Sequence, residues 1–126
     1  MGFYSSLAAV NRTSDPGKRS YAATGYLRPN LDRPNLKVLT SALVSKIVLD
    51  RKTATGVEFE HDGQRQIVKA SKEVILSGGT ISSPQLLELS GIGDPEVLQA
   101  ASVECLVENR RVGANVRIMI SISSTL

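Results

Sequence analysis

The sequence predicts an α/β fold of the α+β kind, in which a small antiparallel sheet leads into a strand-turn-helix corner. Three observations predict it. Residues 43–49 are rich in Val, Ile and Leu, and residues 55–60 alternate so that Val57 and Phe59 share one face. Asp62-Gly63 then supplies a hairpin turn before a partner strand over 65–69. Finally, the apolar run Val74-Ile75-Leu76 ends at Gly78-Gly79 and is followed by a leucine-bearing segment that stops at Gly91.

A chain of 126 residues allows one domain at most. With 41% hydrophobic and 21% charged residues it has the balance of an ordinary globular protein. Aromatics make up only 4% and Trp is absent, so the expected core is aliphatic. Lys and Arg number 15 against 12 Asp and Glu, interleaved along the chain, for a net charge of +3. No basic block with aromatic spacing stands out, and no nucleic-acid partner is expected. No stretch is long and apolar enough to span a membrane. The opening Met1-Gly2-Phe3-Tyr4-Ser5-Ser6 is not a basic segment leading into an apolar one, so no signal peptide is visible.

Taken in order, residues 11–20 are polar and turn-rich, with Asp15-Pro16-Gly17 as the turn signal. Residues 20–27 suit a short helix, and the two prolines of 29–35 suit a loop. Residues 36–40 read as a first strand, before the strand at 43–49 and the hairpin. His61 is the sole histidine, and its place beside Asp62-Gly63 makes it an exposed turn residue in this reading, since catalysis needs a constellation. Val74, Ile75 and Leu76 read as a buried strand. Ser83 reads as a helix N-cap with Pro84 at the first helical position, and Gly91 as the helix stop. Asp94 and Pro95 repeat the cap-and-proline start for a second helix, with Glu96 in its first turn. Residues 103–107 alternate as a strand, which makes Cys105, the only cysteine, a small buried hydrophobe. No internal disulfide is possible, and no metal site is expected.

The run Gly79-Thr80-Ile81-Ser82-Ser83-Pro84-Gln85-Leu86-Leu87-Glu88-Leu89-Ser90-Gly91-Ile92-Gly93 resembles the second signature of the glucose-methanol-choline (GMC) family of FAD-dependent alcohol oxidoreductases. Gly79, Thr80, Ser83, Pro84, Leu86, Leu87, Ser90, Gly91, Ile92 and Gly93 meet its fixed positions. So long a pattern is far more specific than a bare glycine motif. Upstream, residues 19–22, Tyr26-Leu27 and residues 33–36 are similar to family segments. Downstream, Val112, Gly113 and Asn115 fit, with Val116 in place of Leu.

The resemblance covers roughly residues 11–116 and implies part of a FAD-binding flavoprotein fold. Residues 1–126 would then be a partial N-terminal (FAD-binding) domain, with 117–126 as a divergent tail. The implied activity is oxidation of the CH–OH group of a small alcohol, with hydride passing to FAD. The resemblance also implies that Val44 offers its backbone to the adenine of the flavin cofactor. A core strand residue is the alternative for Val44, and sequence alone does not separate the two. Ser77, Gly78 and Gly79 form the second candidate contact, a corner where backbone can approach a ligand closely. Two family features find no match. The Gly-x-Gly-x-x-Gly phosphate motif is absent, and no histidine follows Gly93 to act as the catalytic base that the family carries near its C-terminal end. The chain therefore reads as truncated, with no catalytic residue of its own and no activity alone. The rival expectations are a flavin- or nucleotide-binding module and a non-functional truncated product. Oligomeric state and compartment are left open.

Overall fold

A computed structural model describes residues 21–116. The chain divides into two units, Met1–Thr40 and Ser41–Leu126. The turn expected at 15–17, the absence of a leader and the divergent tail at 117–126 lie outside the described residues.

The first unit is sparse. A π-helical turn, Ala23–Leu27, runs into a 3-10 turn, Arg28–Asn30. The short helix expected over 20–27 is thus present in a wider-wound form, and Pro29 falls in the 3-10 turn rather than in open loop. Thr24 steadies its start by donating its hydroxyl to the Tyr21 carbonyl at 2.8 Å. The strand expected at 36–40 does not form, and every residue of it is exposed. Its Val and Leu favour a strand, yet a strand needs a neighbour for its ladder, and none pairs with it among the described residues.

The second unit holds the sheet. Strands β1 (Leu43–Asp50), β2 (Thr53–His61) and β3 (Gln64–Lys69) form an antiparallel meander in the order β1-β2-β3. The Asp62-Gly63 turn closes between the paired His61 and Gln64, with φ of 52° and 72°. Both values are positive, as the tight turn that matches strand twist requires. His61 accordingly ends a strand, half-buried, with Nδ1 3.1 Å from Asp62 Oδ2. Gly56 lies mid-strand for reasons of space, since a Cβ there would come hard against the Val68 carbonyl oxygen.

The β1–β2 ladder slips by one residue between Val44 and Lys46. Ser45 is the extra residue of this bulge, and its hydroxyl donates to Glu58 Oε1 at 3.0 Å. A bulge of this kind changes which residues face which edge.

After β3, residues 73–77 belong to no helix or strand. The buried strand expected at 74–76 is therefore corrected. Val74 and Leu76 are half-buried, but Ile75 is 79% exposed, and no neighbouring strand takes its backbone bonds among the described residues. Helix α1 (Gly79–Leu89) follows and packs against β1. It starts earlier than the Ser83-Pro84 signal predicts. Gly79, at φ 88°, reverses the chain, and Pro84 lies inside the helix. Pro84 lacks the N–H that would bond the Thr80 carbonyl. Thr80 is exposed, so water can serve that carbonyl instead. Gly91, at φ 81°, stops the helix as expected.

Strand β4 (Ile92–Gly93) pairs in parallel with β5 (Val107–Glu108). Between them lies helix α2 (Pro95–Ala100). It begins as the sequence predicts, with Asp94 Oδ1 accepting from the Glu96 N–H at 3.0 Å. The strand expected over 103–107 shrinks to β5, because residues 103–105 cross Gly91 as irregular chain. Cys105 is consequently exposed, not the buried hydrophobe expected. The core of the described residues is small: Ile47, Phe59 and Leu98 are its buried apolar members.

Candidate functional site

A concavity of the second unit lies between the start of β1 and one face of α1. It is a cleft of about 610 Å³. Strand residues Leu43, Val44 and Val57 form one wall, and the segment from Val74 to Gly78 forms another. The helix contributes Ser82, Gln85, Leu86 and Leu89. These recur at three- and four-residue steps, which puts them on one helical face.

Val44, Ser77 and Gly78, three of the four residues singled out in the sequence, line this cleft together. Val44 is more than thirty residues of chain from the other two, so the fold brings them to one place. Gly79 does not line it. Its part is to turn the chain into α1, and a Cβ there would meet nothing within 4 Å, so the demand is on φ and not on space. Gly78 is tighter, because an added Cβ would sit 3.3 Å from the Ser82 Cβ.

The edge of β1 decides what Val44 can offer. The Ile47 N–H points away from β2, since it donates to Ser90 Oγ at 2.8 Å. In a regular antiparallel strand, outward-facing residues lie two apart. The bulge at Ser45 makes that step three, so the main chain of Val44 faces the same outer edge as that of Ile47. Val44 thus presents an N–H and a C=O side by side, outside the β1–β2 ladder. The sequence does not reveal this, because the bulge carries no Gly or Pro to mark it.

The lining is apolar, with Ser77, Ser82 and Gln85 as its polar side chains. No lining residue carries an ionisable side chain. The cleft can exclude water from a flat, apolar ligand and offer it a few hydrogen bonds, while a proton would have no acceptor among these side chains. Sequence reasoning missed Ser82, Gln85 and Leu89, although their helical spacing was readable once α1 is started at Gly79. It also missed a role for Ser90, which it saw only as a signature position.

The family described as GMC oxidoreductase matches residues 4–119. This chain belongs to the GMC oxidoreductase family. A dehydrogenase of Monascus purpureus, mpl7, is 52% identical over 122 residues, which is 93% of this chain and 20% of that protein. The oxygen-dependent choline dehydrogenase of Rhizobium rhizogenes is 43% identical over 108 residues, 86% of this chain and 20% of that protein. Among solved structures, the pyridoxine 4-oxidase of Mesorbium loti superposes with a TM-score of 0.69 at 34% identity, covering 75% of this chain and 18% of that one. This GMC chain spans about a fifth of the length of the curated relatives it matches. Among its described residues no helix is long and apolar enough to cross a membrane.

Proposed function

We propose that these residues form part of the cofactor-holding region of an FAD-dependent oxidoreductase. The protein acts on the CH–OH group of a small alcohol and passes hydride to the flavin. The observation that carries this reading is the cleft, in which the open edge of β1 at Val44 faces a corner of Ser77 and Gly78. FAD fits the residues present. A cleft of this volume lies within the range of small-molecule sites. Its Val, Leu and Ile side chains suit the faces of an aromatic ring. The paired N–H and C=O of Val44 match the neighbouring acceptor and donor on the pairing edge of adenine. Val44 would hold the adenine half, with Ser77 and Gly78 offering backbone approach, and Gly79 would set that corner by its turn. When bound, FAD supplies the hydride acceptor.

A second reading applies to the 126-residue chain by itself, as a flavin-binding module without catalysis. The absence of ionisable side chains from the cleft lining favours it. His61, the sole histidine, sits at the β2–β3 turn against Asp62 and is not part of that lining. Alcohol oxidation needs a base for the hydroxyl proton, and its loss slows such a reaction by roughly two to four orders of magnitude.

The test is a titration of the purified chain with FAD, followed by visible absorption and by gel filtration, with AMP as competitor. The expected result is saturable FAD binding that AMP displaces, with no oxidation of choline or primary alcohols. FAD that never associates with the chain counts against the cleft. Turnover of an alcohol by the chain alone overturns the second reading.

A further inference from the structure

Ser90 is wholly buried, the one buried polar residue among those described. Its hydroxyl donates to the Leu86 carbonyl one turn back at 2.6 Å. Helix serines often make that bond. It also accepts from the Ile47 N–H at 2.8 Å, across 43 residues of chain. Ile47 and Val44 are the neighbouring outward rungs of β1. Ser90 closes one of them, and the cleft has the other.

We propose that Ser90 is a positioning residue for the cofactor cleft. By tying the end of α1 to the outer edge of β1, its hydroxyl sets the gap between helix and strand, and so the slot in which an adenine lies against Val44. The inference rests on the reading of the cleft given above. A hydroxyl is the right group because it both donates and accepts, so the Leu86 carbonyl and the buried Ile47 N–H are satisfied by one oxygen without water. Ser90 is also held in place along the helix axis. Gly91 follows at φ 81°, with the Glu104 carbonyl so near that a Cβ would come within 2.6 Å of it. Replacing the hydroxyl leaves the Ile47 N–H buried without a partner, which strand and helix relieve by parting. Ser90 touches no ligand. It acts through Ile47 on the position of Val44.

The experiment uses the whole 126-residue chain, as wild type, Ser90→Ala and Ser90→Thr, titrated separately with AMP and with FMN, which lacks adenine. Folded Ser90→Ala is expected to bind AMP roughly three- to tenfold more weakly, the effect of one misplaced hydrogen bond. FMN binding is expected to be unchanged, and Ser90→Thr, which keeps the hydroxyl, to recover the AMP affinity. A purely structural role would lower the unfolding temperature and move AMP and FMN alike. Amide hydrogen exchange gives a second readout: Ile47 loses protection in Ser90→Ala while Lys46, inside the β1–β2 ladder, keeps it. Should Ser90→Ala fail to fold, Ser90→Cys, similar in size and weak in hydrogen bonding, provides the same comparison. Equal AMP affinity in the folded variant overturns the role of Ser90 and leaves the cleft standing. A wild type that binds neither AMP nor FAD overturns the cleft itself and this role with it.

Discussion

Replacing Gly91 by alanine tests the joint between α1 and the β4–β5 pair. Two separate penalties apply. At φ 81° an L-residue is in the left-handed region, at a penalty of about 1–2 kcal/mol. The new Cβ would also lie 2.6 Å from the Glu104 carbonyl oxygen and 2.9 Å from Leu106 Cγ. That segment cannot simply withdraw, because the Leu106 and Val107 N–H groups bond to the carbonyl of Gly91 itself, at 2.8 and 3.0 Å. Overpacking of this sort adds about 1–3 kcal/mol. Gly91→Ala should therefore destabilise the second unit by about 2–5 kcal/mol, a large part of a small domain's stability. Gly79→Ala is the control, since its φ of 88° carries the same dihedral penalty while nothing lies within 4 Å of its Cβ. It should lose only about 1–2 kcal/mol. The assay is urea denaturation of both variants followed by far-UV circular dichroism. Tyrosine fluorescence is the wrong probe, because Tyr21 and Tyr26 belong to the other unit. Equal losses for the two variants would mean that residues 104–106 yield freely and do not grip Gly91.

Leu98, 1% exposed, is the most buried apolar side chain described, and Leu98→Ala should lower stability by about 2–5 kcal/mol in the same denaturation series. Asp94→Ala removes the cap of α2, and a loss of about 1 kcal/mol is expected, with Asp94→Asn largely preserving the wild-type midpoint. Val44→Pro deletes the outward N–H of Val44 without removing a rung of the β1–β2 ladder, so titration should show lost FAD and AMP binding while the circular dichroism spectrum is kept. Arg110 meets Glu108 at 3.1 Å, Glu96 at 3.3 Å and Asp94 at 3.6 Å, and Glu108 foremost raises its pKa above that of an ordinary guanidinium. A raised pKa contributes stability below the ordinary value and loses it only as pH climbs past the raised one. Arg110→Gln should thus leave the pH profile flat from neutral to mildly alkaline, and its small effect on the midpoint should vanish in high salt.

What could be read from the sequence followed local chemistry. Asp62-Gly63 announced its hairpin because few other pairs accept positive φ twice in succession. Asp94-Pro95 announced α2, and Gly91 the end of α1, for similar reasons of cap and dihedral. The failures came where a neighbour decides the outcome. Val38 and Leu39, and likewise Val74 and Ile75, have strand-forming side chains, but a strand exists only when another backbone lies beside it. Ser83-Pro84 mimicked a helix start because Pro fits the first turn well, while the true start was fixed by the dihedral of Gly79. Val44 was singled out through the family pattern and Ser77 and Gly78 as a glycine corner, and their meeting in one cleft could not be read from spacing. Ser90 escaped notice because a serine at a helix end reads as exposed until the strand it touches is known.

Folding order follows from the span of the Ser90–Ile47 bond. The meander closes through two-residue turns at Arg51-Lys52 and Asp62-Gly63, so its loops are cheap in entropy and quick to form. The tie from α1 must close a loop of 43 residues. During synthesis the three strands are complete before Gly79 exists. For that interval no described residue covers the outer edge of β1, which leaves Leu43 and Val44 on a strand that another chain could join. Docking of α1 caps this edge at Ile47 and creates the cleft in the same movement. A molecule that occupies the cleft can therefore neither guide nor hasten the early steps, and acts only as a latch on the finished arrangement.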